Sequence, residues 1–323
     1  MLSLRKYRMI GAALLIACLL CLLAACGTNQ TAGEAKKSDV ITYEGAKGPV
    51  QLPANPKRVV VTVQDYVGDV LALGVKPVGA AGWVFQTPYH QSLVSGAENV
   101  GDMTGISYEK ILSLNPDVII TYQEDTYEKL SQIAPTVLIP YGKYNYRDRL
   151  LEIGKALNKT NEAKQWLSRF DQKMQEKKIQ LLKTVKPDAK IAIVEITPKE
   201  LFIYGKSFGR GGDIVYNGLG LRAPAKVEQD AFPQGWAKIS LEAIPDYLGQ
   251  ADQLFLGVRD AAVGTGAGEA EKRKSEVTSL AVWNNLPAVK AGRVHEYSVQ
   301  SFYFNDPIAL DQQLDFIVDR LTK

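Results

Sequence analysis

The stretch Asn161 to Lys183, NEAKQWLSRFDQKMQEKKIQLLK, decides how this chain is organised. Apolar residues recur at Ala163, Trp166, Leu167, Phe170 and Met174, close to the 3.6-residue period of an amphipathic helix. About 23 helical residues would reach about 35 Å at 1.5 Å per residue. Helix formers dominate from about Tyr146 to Thr184, interrupted only by Asn158-Lys159-Thr160, where Thr160 is placed to cap. A helix of this length suits a strut between two lobes, although an ordinary domain helix would carry the same pattern.

On either side the pattern changes to short apolar runs alternating with helical stretches. Before it, strands are predicted at Lys57–Val63, Val78–Ala81, Asp117–Tyr122 and Thr136–Tyr141. Helices are predicted at Asp65–Leu73, Ser107–Leu114 and Thr126–Ile133. After Pro187, Lys190–Ile196, Leu201–Tyr204, Gln253–Val258 and Arg293–Tyr297 read as strands. Gly212–Gly218, Leu241–Leu248, Leu280–Leu286 and Pro307–Leu321 read as helices. Alternating β and α units imply an α/β fold of doubly wound parallel sheets. The expectation is an N-terminal lobe over residues 41–146, a linking helical segment over 147–186 and a C-terminal lobe over 187–323, with a ligand cleft between the lobes.

The first residues have a different use. Arg5, Lys6 and Arg8 precede an apolar stretch, Met9–Leu22, that is short for a bilayer span. Leu23-Ala24-Ala25-Cys26 closes it, which reads as a signal peptide over residues 1–25. Residues 26–40 are small and polar and read as a flexible tether. The chain has 38 basic and 35 acidic residues, and the leader removes three basic ones and no acid. The balanced remainder argues against a nucleic-acid footprint. Cys18 and Cys21 leave with the leader, so no disulfide is expected. With two histidines and no free cysteine, a protein-built metal site is not expected either.

Two short segments repeat I-S-x-E-x-I: Ile106–Ile111 and Ile239–Ile244. In each, a serine is placed to cap a helix and a glutamate, Glu109 or Glu242, to sit in its first turn. Two good helix starts would explain the match; so would two equivalent surfaces that dock on a two-fold partner.

The richest candidate site is Leu201–Gly212, LFIYGKSFGRGG. It sets Phe202, Tyr204, Phe208 and Arg210 among four glycines, which suggests a binding crevice at a strand's carboxyl end. Phe302-Tyr303-Phe304, Tyr66 after the first core strand, and Trp83 after another strand are further candidates. Gly205-Lys206-Ser207-Phe208-Gly209 also fits the G-x-S-x-G elbow, and a hydrolase order could be composed from Ser207, Asp246 or Asp260, and His295. No oxyanion-type glycine segment precedes it, and the glycines have a simpler use in close ligand approach.

The chain resembles the iron-siderophore and cobalamin class of substrate-binding proteins of ABC transporters. The resemblance runs through Asn55–Val60, Leu73–Gly79, Glu109–Asp117, Ala134–Val137, Trp283–Leu286 and Val289–Val294. Tyr204-Gly205, Gly209–Gly212, Gly235-Trp236-Ala237 and Asn305-Asp306-Pro307 resemble the ferric-hydroxamate-binding lipoproteins of Gram-positive bacteria. That resemblance implies an aromatic bowl and an arginine, at Phe202, Phe208, Phe304 and Arg210, holding a ferric siderophore whose own atoms ligate the iron. Well-known members carry tyrosine at the positions of Phe202 and Phe304 and tryptophan at that of Phe208. It also implies a lipid on Cys26, attachment to the outer face of the cell membrane, and no enzymatic activity or intrinsic cofactor. Glu109 and Glu242 would meet arginines of an ABC permease dimer served by its ATPase, and the receptor is read as a monomer. A near-neutral ferric tris-hydroxamate suits one arginine with aromatic faces. A catecholate chelate would call for several converging cations; Arg222 and Arg259 read as less well placed. Haem, with Tyr66 or Tyr303 as axial ligand, and cobalamin are the remaining alternatives.

Overall fold

A computed structural model describes residues 39–102, 105–260 and 268–323. The expected leader, Cys26 and the tether up to residue 38 lie outside them, as does most of the glycine-rich run at 264–268. The first described element is a hairpin that the strand signals missed. Strand β1 (Val40–Gly45) pairs antiparallel with β2 (Gly48–Pro53), so its first residue, Val40, falls in the stretch read as tether. Its buried side chains, Tyr43 and Leu52, join the first core, and the Tyr43 hydroxyl donates to Glu152 at 2.8 Å.

Five short strands then form the first sheet: β3 (Val59–Val61), β4 (Gly79–Ala80), β5 (Glu98–Asn99), and, after the small hairpin of β6 (Gly101–Asp102) and β7 (Gly105–Ile106), β8 (Val118–Thr121) and β9 (Thr136–Leu138). The order is β5-β4-β3-β8-β9 and every pairing is parallel. Strands β3, β8 and β9 are buried at every position, as continuous apolar runs covered on both faces should be.

The second sheet has the order β12-β11-β10-β13-β14, built from β10 (Ile191–Ile196), β11 (Leu201–Tyr204), β12 (Trp236–Ile239), β13 (Gln253–Val258) and β14 (Val294–Ser298). It is parallel only across β10, β13 and β14. The pairings β10–β11 and β11–β12 are antiparallel; for the first, Thr197–Glu200 turns the chain straight back with no crossover helix.

The helix between the sheets runs Thr160–Leu181, 22 residues. Thr160 opens it without capping, since Lys159 takes the cap position; the preceding helix, Tyr146–Ala156, is capped by Asn145. The helix belongs to both cores. Ala163 and Leu167 pack into the first, while Phe170, Met174 and Leu181 pack into the second. The handover falls at Trp166 stacked on Phe170, 4.8 Å between ring centres.

A second crossing comes late. Phe304 and Ala309 sit in the first core, although the helix that follows, Pro307–Thr322, sends Leu310, Leu314, Ile317, Val318 and Leu321 into the second. Asp306 fixes this crossing. One carboxylate oxygen accepts the Ala309 amide at 3.0 Å and caps the helix; the other meets His90 Nε2 at 2.8 Å. No room exists for a Cβ at Gly68, against which Asp306 packs. Beside it Arg149 donates to Asp69 at 3.0 Å and to the Asn305 carbonyl at 3.2 Å. Burial works to raise the Asp306 carboxyl, but His90 and the Ala309 amide outweigh it and hold it below the usual range.

Asp306→Ala removes a cap and strands His90, so unfolding should become easier by about 3–5 kcal/mol. A depressed carboxyl contributes stability above its ordinary pKa, and that contribution fades as pH falls below about 4. Urea titrations at neutral and acidic pH check both: the variant's deficit should shrink in acid, and a neutral-pH change under about 1 kcal/mol would deny Asp306 this role.

Candidate functional site

The register of the second sheet builds the site. Glu195 lies opposite Phe202, and Tyr204 opposite Trp236, so these four side chains share one face of β10–β12. Phe202 meets Trp236 edge-on at 5.5 Å, and Phe208 stacks on Tyr204 at 6.0 Å. Phe208 is 40% exposed and Trp236 37% exposed, which leaves an open aromatic shelf. Glu195 lies one residue from the carboxyl end of β10, Arg259 directly follows β13, and Phe208 and Arg210 follow β11, so the shelf on the sheet face continues into the strand ends. With β11 antiparallel, the glycine-rich segment after Tyr204 folds back until Arg210 reaches Glu195 on the sheet face.

That segment holds Gly209, Arg210 and Gly211 in succession at positive φ, 73°, 56° and 85°. The glycines accept this conformation freely; an arginine does so at a cost of about 1–2 kcal/mol. Two contacts hold it there. The Arg210 amide donates to the Phe302 carbonyl at 2.8 Å, and its Nε donates to Glu195 Oε2 at 2.6 Å.

Glu195 is fully buried and shared. Its second oxygen accepts Arg259 Nε at 2.6 Å and the Tyr204 hydroxyl at 3.3 Å. Burial, chiefly, pushes the Tyr204 phenol up to about 12. Arg210 is 4% exposed, clasped between the rings of Tyr204 and Tyr303 at 5.0 and 4.7 Å. Burial works against its charge, but Glu195 outweighs burial and keeps it protonated. Nη1 reaches the Tyr303 carbonyl at 3.4 Å; Nη2 has no hydrogen-bond partner among the described residues. One carboxylate thus divides itself between two guanidiniums, leaving this face about one net positive charge.

Tyr303 leads to the first-sheet side, where Trp83 packs on it at 4.8 Å. Asp65, Tyr141, Tyr303 and Asn305 face Phe208 and Arg210 across a concavity of about 70 Å³. Of the predicted site residues, Phe202, Tyr204, Phe208, Arg210, Tyr303 and Trp83 fall in this neighbourhood. Two do not. Tyr66 is buried, donates to the Ile139 carbonyl at 3.0 Å and lies under Arg149; Phe304 is a core residue packed on His90. Arg259 belongs to the site after all, because β13 runs beside β10 and delivers it to Glu195. Glu195 and Tyr141 were missed. The lone carboxylate in the apolar run KIAIVEI was the available signal for Glu195; Tyr141 had none.

Ser207 and His295 do not assemble a hydrolase. His295 Nε2 is bonded to Gln253 Oε1 at 2.7 Å, and Asp260 accepts the amides of Gly268 and Ala270. No cluster of potential metal ligands occurs among the described residues. Glu109 and Glu242 are both exposed and form no ion pair among the described residues. Their local starts differ: Ser107 caps its helix, but the second helix begins only at Ile244 with Pro245 in its first turn, and Ser240 does not cap it. Ser240 bonds Glu242 instead, which, after the Glu242 backbone amide, lowers that carboxyl.

Two sheets sharing a helix, with an aromatic shelf and a guanidinium held ready beside it, define a substrate-binding protein. The chain belongs to the periplasmic binding protein family, which matches residues 59–299. It is 39% identical over 98% of its length to the iron(3+)-hydroxamate-binding protein FhuD of Bacillus subtilis, covering 99% of that protein. A solved periplasmic binding protein component of a Fep/Fec-like ferrichrome ABC transporter from B. subtilis superposes with a TM-score of 0.77 at 38% identity, over 87% of this chain and 100% of that one. FhuD2 of Staphylococcus aureus, solved with bound ferrioxamine B, gives 0.71 at 26% identity, over 83% and 98%.

Glu195→Ala leaves two guanidiniums without their anion and should cost about 3–5 kcal/mol in unfolding free energy. Arg259→Ala should cost less, about 1–2 kcal/mol, because its side chain is 29% exposed and Arg210 still satisfies Glu195. Guanidinium titrations of both variants test that order.

Proposed function

We propose that this protein is the substrate-binding component of an ABC importer and captures ferric hydroxamate siderophores for iron uptake. The observation that carries the reading is the shared carboxylate. With Glu195 offsetting one of its two arginines, the shelf offers modest positive charge, one free guanidinium nitrogen and apolar rings. A ferric tris-hydroxamate is neutral overall, with partly negative oxygens around the iron. Arg210 can donate to those oxygens while Phe202, Phe208 and Trp236 cover the carbon linkers. A tris-catecholate, about three charges negative, fits this face poorly. Haem loses one of its two candidate ligands with Tyr66 in the core. The names of the relatives support the same ligand class: one is an iron(3+)-hydroxamate-binding protein and another was solved with ferrioxamine B.

The chain itself does no covalent chemistry in this reading; the siderophore brings every iron ligand. A diacylglyceryl group on Cys26 would hold the receptor at the outer face of the membrane. Glu109 and Glu242 would then dock on the permease. The register favours a division of labour: Trp236, at one end of β12, belongs to the shelf, while Ile239, at the other, leads to Glu242.

Protein lacking residues 1–26 should bind a ferric hydroxamate at submicromolar concentration, read by quenching of its four tryptophans. Arg210→Ala should weaken binding by about tenfold or more. No binding to any ferric hydroxamate would overturn the ligand class. In cells, Glu109→Arg with Glu242→Arg should stop uptake while the purified variant binds normally; lost binding would assign those glutamates a structural role.

A further inference from the structure

The concavity between Asp65 and Arg210, about 70 Å³, is too small for a ferric chelate. It is large enough for a small head group. Its two sides differ in charge. On the second-sheet side Arg210 is tied to Glu195. On the first-sheet side stands Asp65, which accepts a long hydrogen bond from the Tyr122 hydroxyl at 3.4 Å. It makes no ion pair among the described residues. Burial raises its carboxyl, and Arg149, a backbone amide and the Tyr122 hydroxyl counter that only in part.

Aromatic faces surround it. Tyr122 packs edge-on to Tyr66 at 5.5 Å and against Tyr141 at 5.1 Å. Tyr141 lines the concavity and is 62% exposed. Tyr66 and Tyr303 already carry a guanidinium each, from Arg149 and Arg210. Tyr141 carries no such cation among the described residues. A carboxylate beside an open aromatic face in a head-group-sized hollow is the chemistry that recognises an alkylammonium.

We propose that Asp65, with Tyr141, forms a subsite for a protonated primary amine carried by the siderophore. The receptor is thereby tuned to ferric tris-hydroxamates that bear a pendant ammonium. The chelate rests on the aromatic shelf with its oxygens toward Arg210, and a short alkyl arm carries the ammonium to Asp65. This rests on the hydroxamate reading above and adds a ligand feature to it.

The test uses three probes: ferrioxamine B, which ends in a primary amine; its N-acetylated form, which lacks the charge; and ferrichrome, which has no amine. Wild-type protein should bind ferrioxamine B about tenfold more tightly than the acetylated form. Asp65→Asn should abolish that difference, and Tyr141→Ala should narrow it. Equal wild-type affinity for the amine and its acetylated form overturns the subsite without needing any variant. So does an equal loss for all three probes in Asp65→Asn, which would make Asp65 a structural residue. Failure of all three to bind wild-type protein would instead strike the hydroxamate reading itself.

Discussion

The buried pairing of His90 with Asp306 is the interaction on which the arrangement of this protein depends. It joins a loop of the first sheet to the cap of the last helix, in a place where neither group reaches water. Because both are buried, neither tolerates the loss of the other. Tyr303, next to Phe302 and three residues before Asp306 on the same short crossing, is brought between Trp83 and Arg210 by that anchorage. The long helix Thr160–Leu181 supplies the other crossing, and it is shared by two cores instead of hinged between them. The chain thus joins the two cores twice, along this helix and again where Phe304 and Ala309 enter the first core before Leu310 returns to the second.

Electrostatics on the second sheet follow from one residue in a central strand. Glu195 has no access to solvent, so its charge is answered entirely by Arg210 and Arg259. That arrangement explains why an arginine can sit in a left-handed conformation between two glycines: the ion pair and the Phe302 carbonyl specify the loop more strongly than the backbone resists it. It also sets the sign and size of the charge that any ligand meets.

Periodicity and apolar runs made most of the architecture legible. The helix from Thr160, the strands at β8, β10, β11 and β13, and the closing helix all carry strong local patterns. The hairpin of β1 and β2 escaped because its alternation is weak and its turn, Ala46-Lys47, lacks a strong turn signal. Strand direction escaped too. A four-residue turn after β10 decides that β11 runs antiparallel, and this sets Phe202 and Tyr204 beside Glu195 on the sheet face. Composition singled out Arg210 and its neighbouring rings, but it could not separate Phe304, a core residue, from Phe208, an exposed one. Both are phenylalanines near glycine or asparagine, and only packing tells them apart. The partners of Arg210 lie far along the chain, in strands whose pairing no local window reports.

The left-handed loop at Gly209–Gly211 has a thermodynamic corollary. Its backbone freedom is surrendered when the chain folds, so little remains to be lost when a ligand arrives. Recognition by such a loop proceeds against a surface already in shape, and affinity is limited by how well a chelate matches it, not by ordering the receptor. Selectivity then comes from rejection: a ligand of the wrong contour meets a loop that cannot yield without breaking the ion pair beneath it.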